Sequence, residues 1–263
     1  MLGLLPGEQQ LIELPSSDIT VICDDNLLAL KGLADERVDL CYTDPPFNTG
    51  KTQHIHGRSY GDNFEDYLGF LRPRLEEIYR VLKPTGSLLL HLDYREVHYV
   101  KVMLDEIFGR QCFVNEVIWA YDYGGRPKNK WPCKHDNILW YVKNPSNYTF
   151  NFDEIDRISY MAPSLVGAEK AARGKTPTDV HWQTIVPTQG KERVGYPTQK
   201  PRGLIDRFVK VHSNPGDMLL DPFAGSGTLG AAAANHGRNA TLIDNNPEAA
   251  NVMLLRLCSS EVI

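Results

Sequence analysis

The sequence predicts a doubly wound α/β domain, and three observations carry the prediction. Short apolar runs at 19–23, 38–42, 87–92, 217–221 and 240–244 alternate with stretches of helical periodicity at both ends of the chain, the pattern of helices laid over a parallel sheet. The first two runs are separated by one helical stretch, a β-α-β unit that implies parallel strands joined by a right-handed crossover. A length of 263 residues suits one large domain, or one domain carrying an inserted lobe.

Residues 1–17 read as a loosely ordered lead-in. Glu8 and Glu13 stand there without a basic cluster, so no secretory leader is expected. The strand at 19–23 is followed by an acidic turn, with Asp25 or Asn26 as the N-cap of a helix that repeats Leu27, Leu28, Leu30 and Leu33. The strand at 38–42 runs into Thr43-Asp44-Pro45-Pro46-Phe47-Asn48. From 48 to 63 the chain is polar and glycine-bearing, with Lys51, His54, His56 and Arg58; a long functional loop, a lid, is expected there. Amphipathic periodicity from 64 to 82 predicts a helix that Lys83-Pro84-Thr85-Gly86 ends. A strand at 87–92, a helix at 97–108 closed by Gly109, and strands at 113–121 and 137–143 follow. After 196 come a helix through Leu204, Ile205, Phe208, Val209 and Val211, the turn Asn214-Pro215-Gly216, a strand, an Ala-rich helix at 228–236, a further strand and a last helix at 247–257.

Between 145 and 195 regular periodicity fades, so the predicted organisation is a lead-in (1–17), a first half of the domain (18–144), an inserted region (145–195) and a second half (196–263). Charge marks the same middle. The chain has 28 Lys and Arg against 33 Asp and Glu, but residues 121–202 hold 13 against 8, leaving 15 against 25 elsewhere. Such a concentration is an electrostatic footprint for phosphate. Its basic side chains include Arg126, Lys128, Lys130, Lys134, Arg173 and Lys175, with Trp131 and Trp182 interleaved, and Lys51 and Arg58 flank the presumptive lid. Phosphate contact and base stacking are the roles this mixture suits, and these eight cations are the DNA-contact candidates. No apolar run approaches the ~20 residues of a membrane span. The five cysteines form no C-x-x-C pair, so reduced thiols in a cytoplasm are expected rather than a zinc site or a disulfide framework. His54, His56 and His91 lack ligand spacing, and no metal is expected.

Two motifs carry chemistry. Asp221-Pro222-Phe223-Ala224-Gly225-Ser226-Gly227-Thr228 follows a strand, and Gly225, Gly227 and Gly230 match the dinucleotide fingerprint with Asp244 about 20 residues on. A dinucleotide fold needs a second mononucleotide half after the first, and here it could come only from the N-terminal part in permuted order. Asp221 beside the glycines would repel a pyrophosphate but suits a ligand with an ammonium group and no phosphate. S-adenosylmethionine is such a ligand, with Asp244 toward its ribose hydroxyls. In Asp44-Pro45-Pro46-Phe47 each part has a task. An exocyclic base amine is a poor nucleophile because its lone pair is delocalised. The Asp44 carboxylate and the Pro45 carbonyl can each accept one N–H and free that lone pair. The prolines hold the corner rigid, and Phe47 can stack on an extruded base.

These motifs resemble the amino-methylating DNA methyltransferases of the β arrangement, in which the Asp-Pro-Pro-aromatic motif precedes the target-recognition region and the donor loop comes last. Asp25-Asn26-Leu27-Leu28-Ala29-Leu30 resembles the family's stretch before the catalytic motif, Lys134-His135-Asp136-Asn137-Ile138-Leu139-Trp140-Tyr141 the strand after the catalytic half, and Tyr196-Pro197-Thr198-Gln199-Lys200-Pro201 its His-Pro-Thr-Gln-Lys-Pro donor segment, with Tyr196 in place of His. The match covers nearly the whole chain outside 145–195. It implies a mostly parallel seven-stranded sheet of the S-adenosylmethionine-dependent methyltransferase type with an inserted target-recognition lobe. It implies S-adenosylmethionine contacts from Asp25, Asn26, Asp44, Thr198, Lys200, Asp221, Phe223, Gly225, Ser226, Gly227, Thr228, Asp244 and Asn245. It implies base flipping in double-stranded DNA, in a prokaryotic or phage-infected cytoplasm. It admits a homodimer and a cognate restriction endonuclease. An Asp in the first position is typical of adenine-amino enzymes, a Ser of cytosine-amino enzymes. Pro132-Cys133 matches the nucleophile of enzymes that methylate cytosine at carbon 5, but it lies in a basic loop without that group's motif order. Four alternatives stay open at this point: a cytosine-N4 methyltransferase, a methyltransferase acting on RNA or on a protein amide nitrogen, a permuted nucleotide-cofactor oxidoreductase built on Gly225, Gly227 and Gly230, and a DNA-binding module with a vestigial pocket.

Overall fold

Strands β1 (Glu8–Leu14), β2 (Ser17–Cys23) and β3 (Val38–Thr43) begin the chain, with helix α1 (Asn26–Gly32) between the last two. The hairpin β4 (Lys51–Ile55) and β5 (Arg58–Asp62), α2 (Tyr67–Val81), β6 (Leu82–Leu92), α3 (Val97–Phe108), β7 (Phe113–Ala120) and β8 (His135–Val142) follow. The inserted region contributes α4 (Ala168–Arg173) and β9 (Val180–Trp182), and the chain closes with α5 (Arg202–His212), β10 (Met218–Asp221), α6 (Thr228–Asn235), β11 (Asn239–Asp244) and α7 (Pro247–Cys258). The structure is a computed structural model that describes residues 3–55 and 58–258, with the side chains of 52–61 outside the description.

Among the described residues, nine strands form one sheet in the order β1-β2-β11-β10-β3-β6-β8-β7-β9. From β2 to β6 neighbours run parallel, and β8 lies antiparallel to both β6 and β7. All six residues of β3 are buried, which is what a central strand covered on both faces requires. One face packs Leu71, Leu75 and Ile78 of α2 with Val100 and Leu104 of α3. The other packs Leu204 and Phe208 of α5, Ala232 of α6 and Met253 of α7. The sheet is therefore doubly wound. Its seven inner strands are the expected core, and β1 and β9 are additions at the edges. No helix among the described residues is long and apolar enough to cross a membrane.

Two expectations change. The lead-in is not loosely ordered: β1 pairs antiparallel with β2 from Glu8↔Cys23 to Leu14↔Ser17. Only Ile12 of β1 is buried, so an edge strand of this kind leaves almost no apolar alternation in the sequence. The segment 48–63 is not a structureless loop: β4 and β5 pair from Lys51↔Asp62 to Ile55↔Arg58. The sequence there is mostly polar and glycine-bearing, which hides the period of two on which strand recognition rests.

The winding fixes where a ligand can sit. Strand β10 leads through α6 to β11 on one side, while β3 leads through α2 to β6 on the other. Adjacent strands whose connections diverge leave a crevice at their carboxyl ends. Leu219 pairs with Leu40 and Leu220 with Cys41, so this crevice brings the donor loop beside the Asp-Pro-Pro-Phe corner across one strand spacing of about 4.8 Å.

Candidate active site

A cleft of about 590 Å³ occupies this crevice, and both motifs line it. Asp221 ends β10 at 5% exposure, and the Phe223 N–H donates to its Oδ1 at 3.0 Å. Burial, reinforced by the nearby Asp44 charge, pushes the Asp221 carboxyl up to about 8. Asp244 ends β11; Gly225 N–H donates to its Oδ2 at 3.0 Å and Asn246 N–H to its Oδ1 at 2.9 Å. Burial pushes Asp244 up to about 6. Five acids, Asp25, Asp44, Asp62, Asp221 and Asp244, thus line one cleft, and a cationic ligand relieves them where a pyrophosphate would aggravate them.

The glycine loop is shaped by close approach. Gly225 and Gly227 have φ of 49° and 69°, a left-handed region that costs an L side chain about 1–2 kcal/mol. A Cβ on Gly227 would stand 2.8 Å from Met253 Cγ, and one on Gly225 3.1 Å from the Tyr196 ring. Tyr196 is buried and packs with Val194 and Ala249; it fills the space against the loop where the family has His. The buried Arg256 donates to Ser226 O and to Thr228 Oγ1, each at 3.1 Å, and pins the loop to α7. Thr198, Phe223 and Asn245 complete the lining.

Asp25 and Asn26 also border the cleft, but much of their capacity is structural. Asp25 is the N-cap of α1 and accepts from Leu27 N and Leu28 N. Asn26 Nδ2 donates to Pro222 O at 2.8 Å. Arg74 of α2 joins the two, with Nε on Asn26 Oδ1 at 2.5 Å and an Nη on Asp25 Oδ2 at 3.0 Å. This clamp ties α1 and α2 to the donor loop.

At the Asp-Pro-Pro-Phe corner Lys200 Nζ donates to Asp44 Oδ2 and lies 5.2 Å from the Phe47 ring centroid. Lys200, expected at the donor, lines the same cleft and is paired there with Asp44. Asp44 Oδ1 is buried with no hydrogen-bond partner among the described residues. Phe47 rests 5.8 Å from His91. His91 is itself fixed between Tyr42 Oη, 2.8 Å from Nδ1, and Asp136 Oδ2, 3.2 Å from Nε2. Tyr121 Oη donates to the other Asp136 oxygen at 2.9 Å. Burial opposes ionisation of Asp136, but the His91 hydrogen bond and charge outweigh it and hold the carboxyl below its usual range. Beyond Phe47, Asn48 has φ of 54°. Its N–H donates to Asp62 Oδ1 at 2.8 Å and its Nδ2 to Glu96 Oε1 at 2.7 Å, so the chain leaves the corner on a fixed path into the hairpin.

The DNA-contact candidates divide. Arg126, Lys128, Lys130 and Lys134 share the 121–134 loop, which leaves β7 at the same carboxyl edge as Asp44. Arg126 pairs with Asp122, and Lys134 donates to the carbonyls of Tyr123, Gly124 and Gly125, so Lys128 and Lys130 are the freer cations. Arg173 ends α4 and Lys175 pairs its backbone with Ile158, both in the inserted region. Lys51 is exposed at the start of β4, and the Arg58 side chain lies outside the described residues. Among those residues no cluster of His, Cys, Asp or Glu is placed to hold a metal ion.

The fold and site point to a class: a methyltransferase whose glycine loop adjoins an Asp-Pro-Pro-Phe corner in one cleft. A family model described as DNA methylase, of the N6/N4 amino-methyltransferases, matches residues 38–254. The chain is 35% identical over 242 residues to the type II methyltransferase M.HpaI of Haemophilus parainfluenzae, covering 92% of this chain and 75% of that one. It is 32% identical over 251 residues to the DNA adenine methyltransferase YhdJ of Escherichia coli K12, covering 90% and 82%. In fold it is similar to the PvuII DNA methyltransferase (cytosine-N4-specific), with a TM-score of 0.71 at 17% identity over 93% of this chain and 88% of that one. The chain belongs to the N6/N4 DNA methylase family. It is a DNA methyltransferase, and its methyl donor is S-adenosylmethionine. The buried acids and the close-packed glycine loop fit that donor.

Proposed function

We propose that the protein methylates N6 of an adenine extruded from a specific sequence of duplex DNA. The observation that carries this reading is Asp44: one carboxylate oxygen is held by Lys200, and the other is buried without a partner among the described residues, in the cleft that the donor loop lines. Bound S-adenosylmethionine supplies an electrophilic sulfonium methyl. Asp221 would hold its ammonium group, and Asp244 and Asn245 its ribose, all three lining the cleft. Asp44 Oδ1 accepts one N–H of the adenine amine and the Pro45 carbonyl the other, which draws the nitrogen toward tetrahedral geometry and frees its lone pair. Phe47, backed by His91, stacks on the base. Holding nitrogen and methyl in line contributes on the order of 7–11 kcal/mol at best. As the nitrogen–methyl bond forms, the sulfur–methyl bond breaks and the donor leaves as a neutral thioether, while the nitrogen gives one proton to solvent beside Asp44.

The choice of adenine is supported by the acid at position 44 and by the likeness to a relative named as an adenine methyltransferase. Phosphate contact falls to the 121–134 loop and the inserted region, which holds the recognition sequence. The test is expression in a host free of its own DNA methylation, followed by mapping of modified bases. N6-methyladenine at one recurrent sequence is expected; N4-methylcytosine there would overturn the base assignment.

A further inference from the structure

We propose that Trp131 is a wedge that enters the duplex where the target base leaves it, so that opening the base, rather than transferring the methyl group, depends on this side chain. The proposal rests on the reading that the substrate is a base extruded from duplex DNA. It needs no assumption about which base that is.

Trp131 is 93% exposed. An indole is the largest apolar side chain and is ordinarily drawn into a core or an interface, so one held out in water on a built loop marks a contact surface. The loop is built. Tyr121 N–H donates to Lys134 O at 2.8 Å across its base. Lys134 Nζ gathers three carbonyls of the opposite limb at 2.5 to 3.3 Å. Tyr121 Oη anchors the stem to Asp136, and Asp136 is joined to His91 beneath Phe47. The stem is thus continuous with the floor of the base site, and Trp131 stands out from it.

Its position suits the role. Strand β8 is separated from β3 by β6 alone and β7 by β6 and β8, so the loop is rooted at the same carboxyl edge roughly 10–15 Å to the side of β3. A base extruded to Asp44 stays tied to its strand, so the duplex it left passes within reach of a loop rooted this close. The exposed Lys128 and Lys130 bring phosphates to the same tip, and Lys130 lies 5.8 Å from the ring of Tyr94, just past the end of β6. Trp182, 68% exposed, sits at the same edge opposite Ala120, but its backbone is paired in β9, so it offers a platform and not a probe. Apolar side chains inserted between base steps unstack them, and a flipping enzyme must supply unstacking energy that a mismatched base demands least.

Once the methylated sequence is mapped, two duplexes are compared, one with the target base paired and one with it mismatched. Single-turnover methylation is followed for the wild type, Trp131→Ala and Trp131→Phe. Donor binding and thermal midpoint confirm that the variants are folded. Trp131→Ala is expected to slow transfer at least tenfold on the paired duplex and to come within about twofold of wild type on the mismatch, with Trp131→Phe retaining most of the paired-duplex rate. Equal rates for Trp131→Ala and wild type on the paired duplex, or equal slowing on both duplexes, overturn the wedge. A wild type that methylates single strands but no duplex overturns the duplex reading itself, and the wedge with it.

Discussion

Replacing Asp221 with Asn should stabilise the ligand-free protein and abolish donor binding at once. Asp221 is buried, its carboxyl is pushed up to about 8 by burial and then by Asp44, and its Oδ1 accepts the Phe223 N–H, a bond that Asn keeps through its own carbonyl. The folded state therefore holds this proton more tightly than the unfolded chain, where the carboxyl titrates near 3.8. Stability is fully present below 3.8 and is lost as pH rises toward 8. A shift of this size has a ceiling of about 6 kcal/mol at 1.36 kcal/mol per unit. Water entering the cleft and sharing of the penalty with Asp44 and Asp244 reduce it. A gain of about 2 kcal/mol for Asp221→Asn at pH 8.5 is expected, or roughly 4–8 °C in midpoint for a chain of this size. At pH 5.5 the gain should fall below half, because most of the penalty accumulates above that pH. Thermal unfolding across pH reads the first effect, and calorimetric titration with S-adenosylmethionine reads the second. A variant no more stable than wild type at pH 8.5, or one whose gain is independent of pH, refutes the assignment of Asp221 as an unrelieved buried charge.

Two further substitutions separate the corner from the loop. Lys200→Met removes one charge-assisted hydrogen bond from Asp44, worth roughly 1.5–3 kcal/mol, so single-turnover methylation should fall by about one to two orders of magnitude while the donor dissociation constant changes little. Collapse of donor affinity instead would return Lys200 to the donor pocket. Gly227→Ala combines a left-handed φ of 69° with a Cβ 2.8 Å from Met253 Cγ. It should cost about 2–3 kcal/mol in chemical denaturation, against about 1 for Gly216→Ala, which has a φ of 86° and open space around its Cβ. Equal losses would show that packing against α7 does not shape the loop.

What could be read from sequence and what could not divide along a physical line. The central strands declare themselves as continuous apolar runs, because β3 is buried on both faces. The Asp-Pro-Pro-Phe corner and the glycine loop declare themselves because proline rigidity and left-handed glycines are local requirements. Hidden were the partners that only the winding brings together. Lys200 meets Asp44 across 156 positions, Asn26 meets Pro222 across 196, and Arg74 and Arg256 look in the sequence like ordinary helical cations. Asn48 and Asp62 fall in the stretch whose sequence predicts a lid, yet the Asn48 N–H donates to Asp62 and makes the pair the fixed root of a hairpin. The fit of Asp221 to a cationic donor was legible from charge alone. Its burial, which makes that fit strong, needed the sheet.

The central claim is that Asp44 activates an adenine amine for methyl transfer. Purified wild type and Asp44→Ala are incubated with S-adenosylmethionine labelled in its methyl group and with duplex DNA carrying the mapped sequence, and the DNA is digested to nucleosides. Label is predicted in N6-methyl-2′-deoxyadenosine for the wild type and in no nucleoside for Asp44→Ala, with donor affinity unchanged between the two. Label in N4-methyl-2′-deoxycytidine, or transfer that survives the loss of Asp44, would contradict the account.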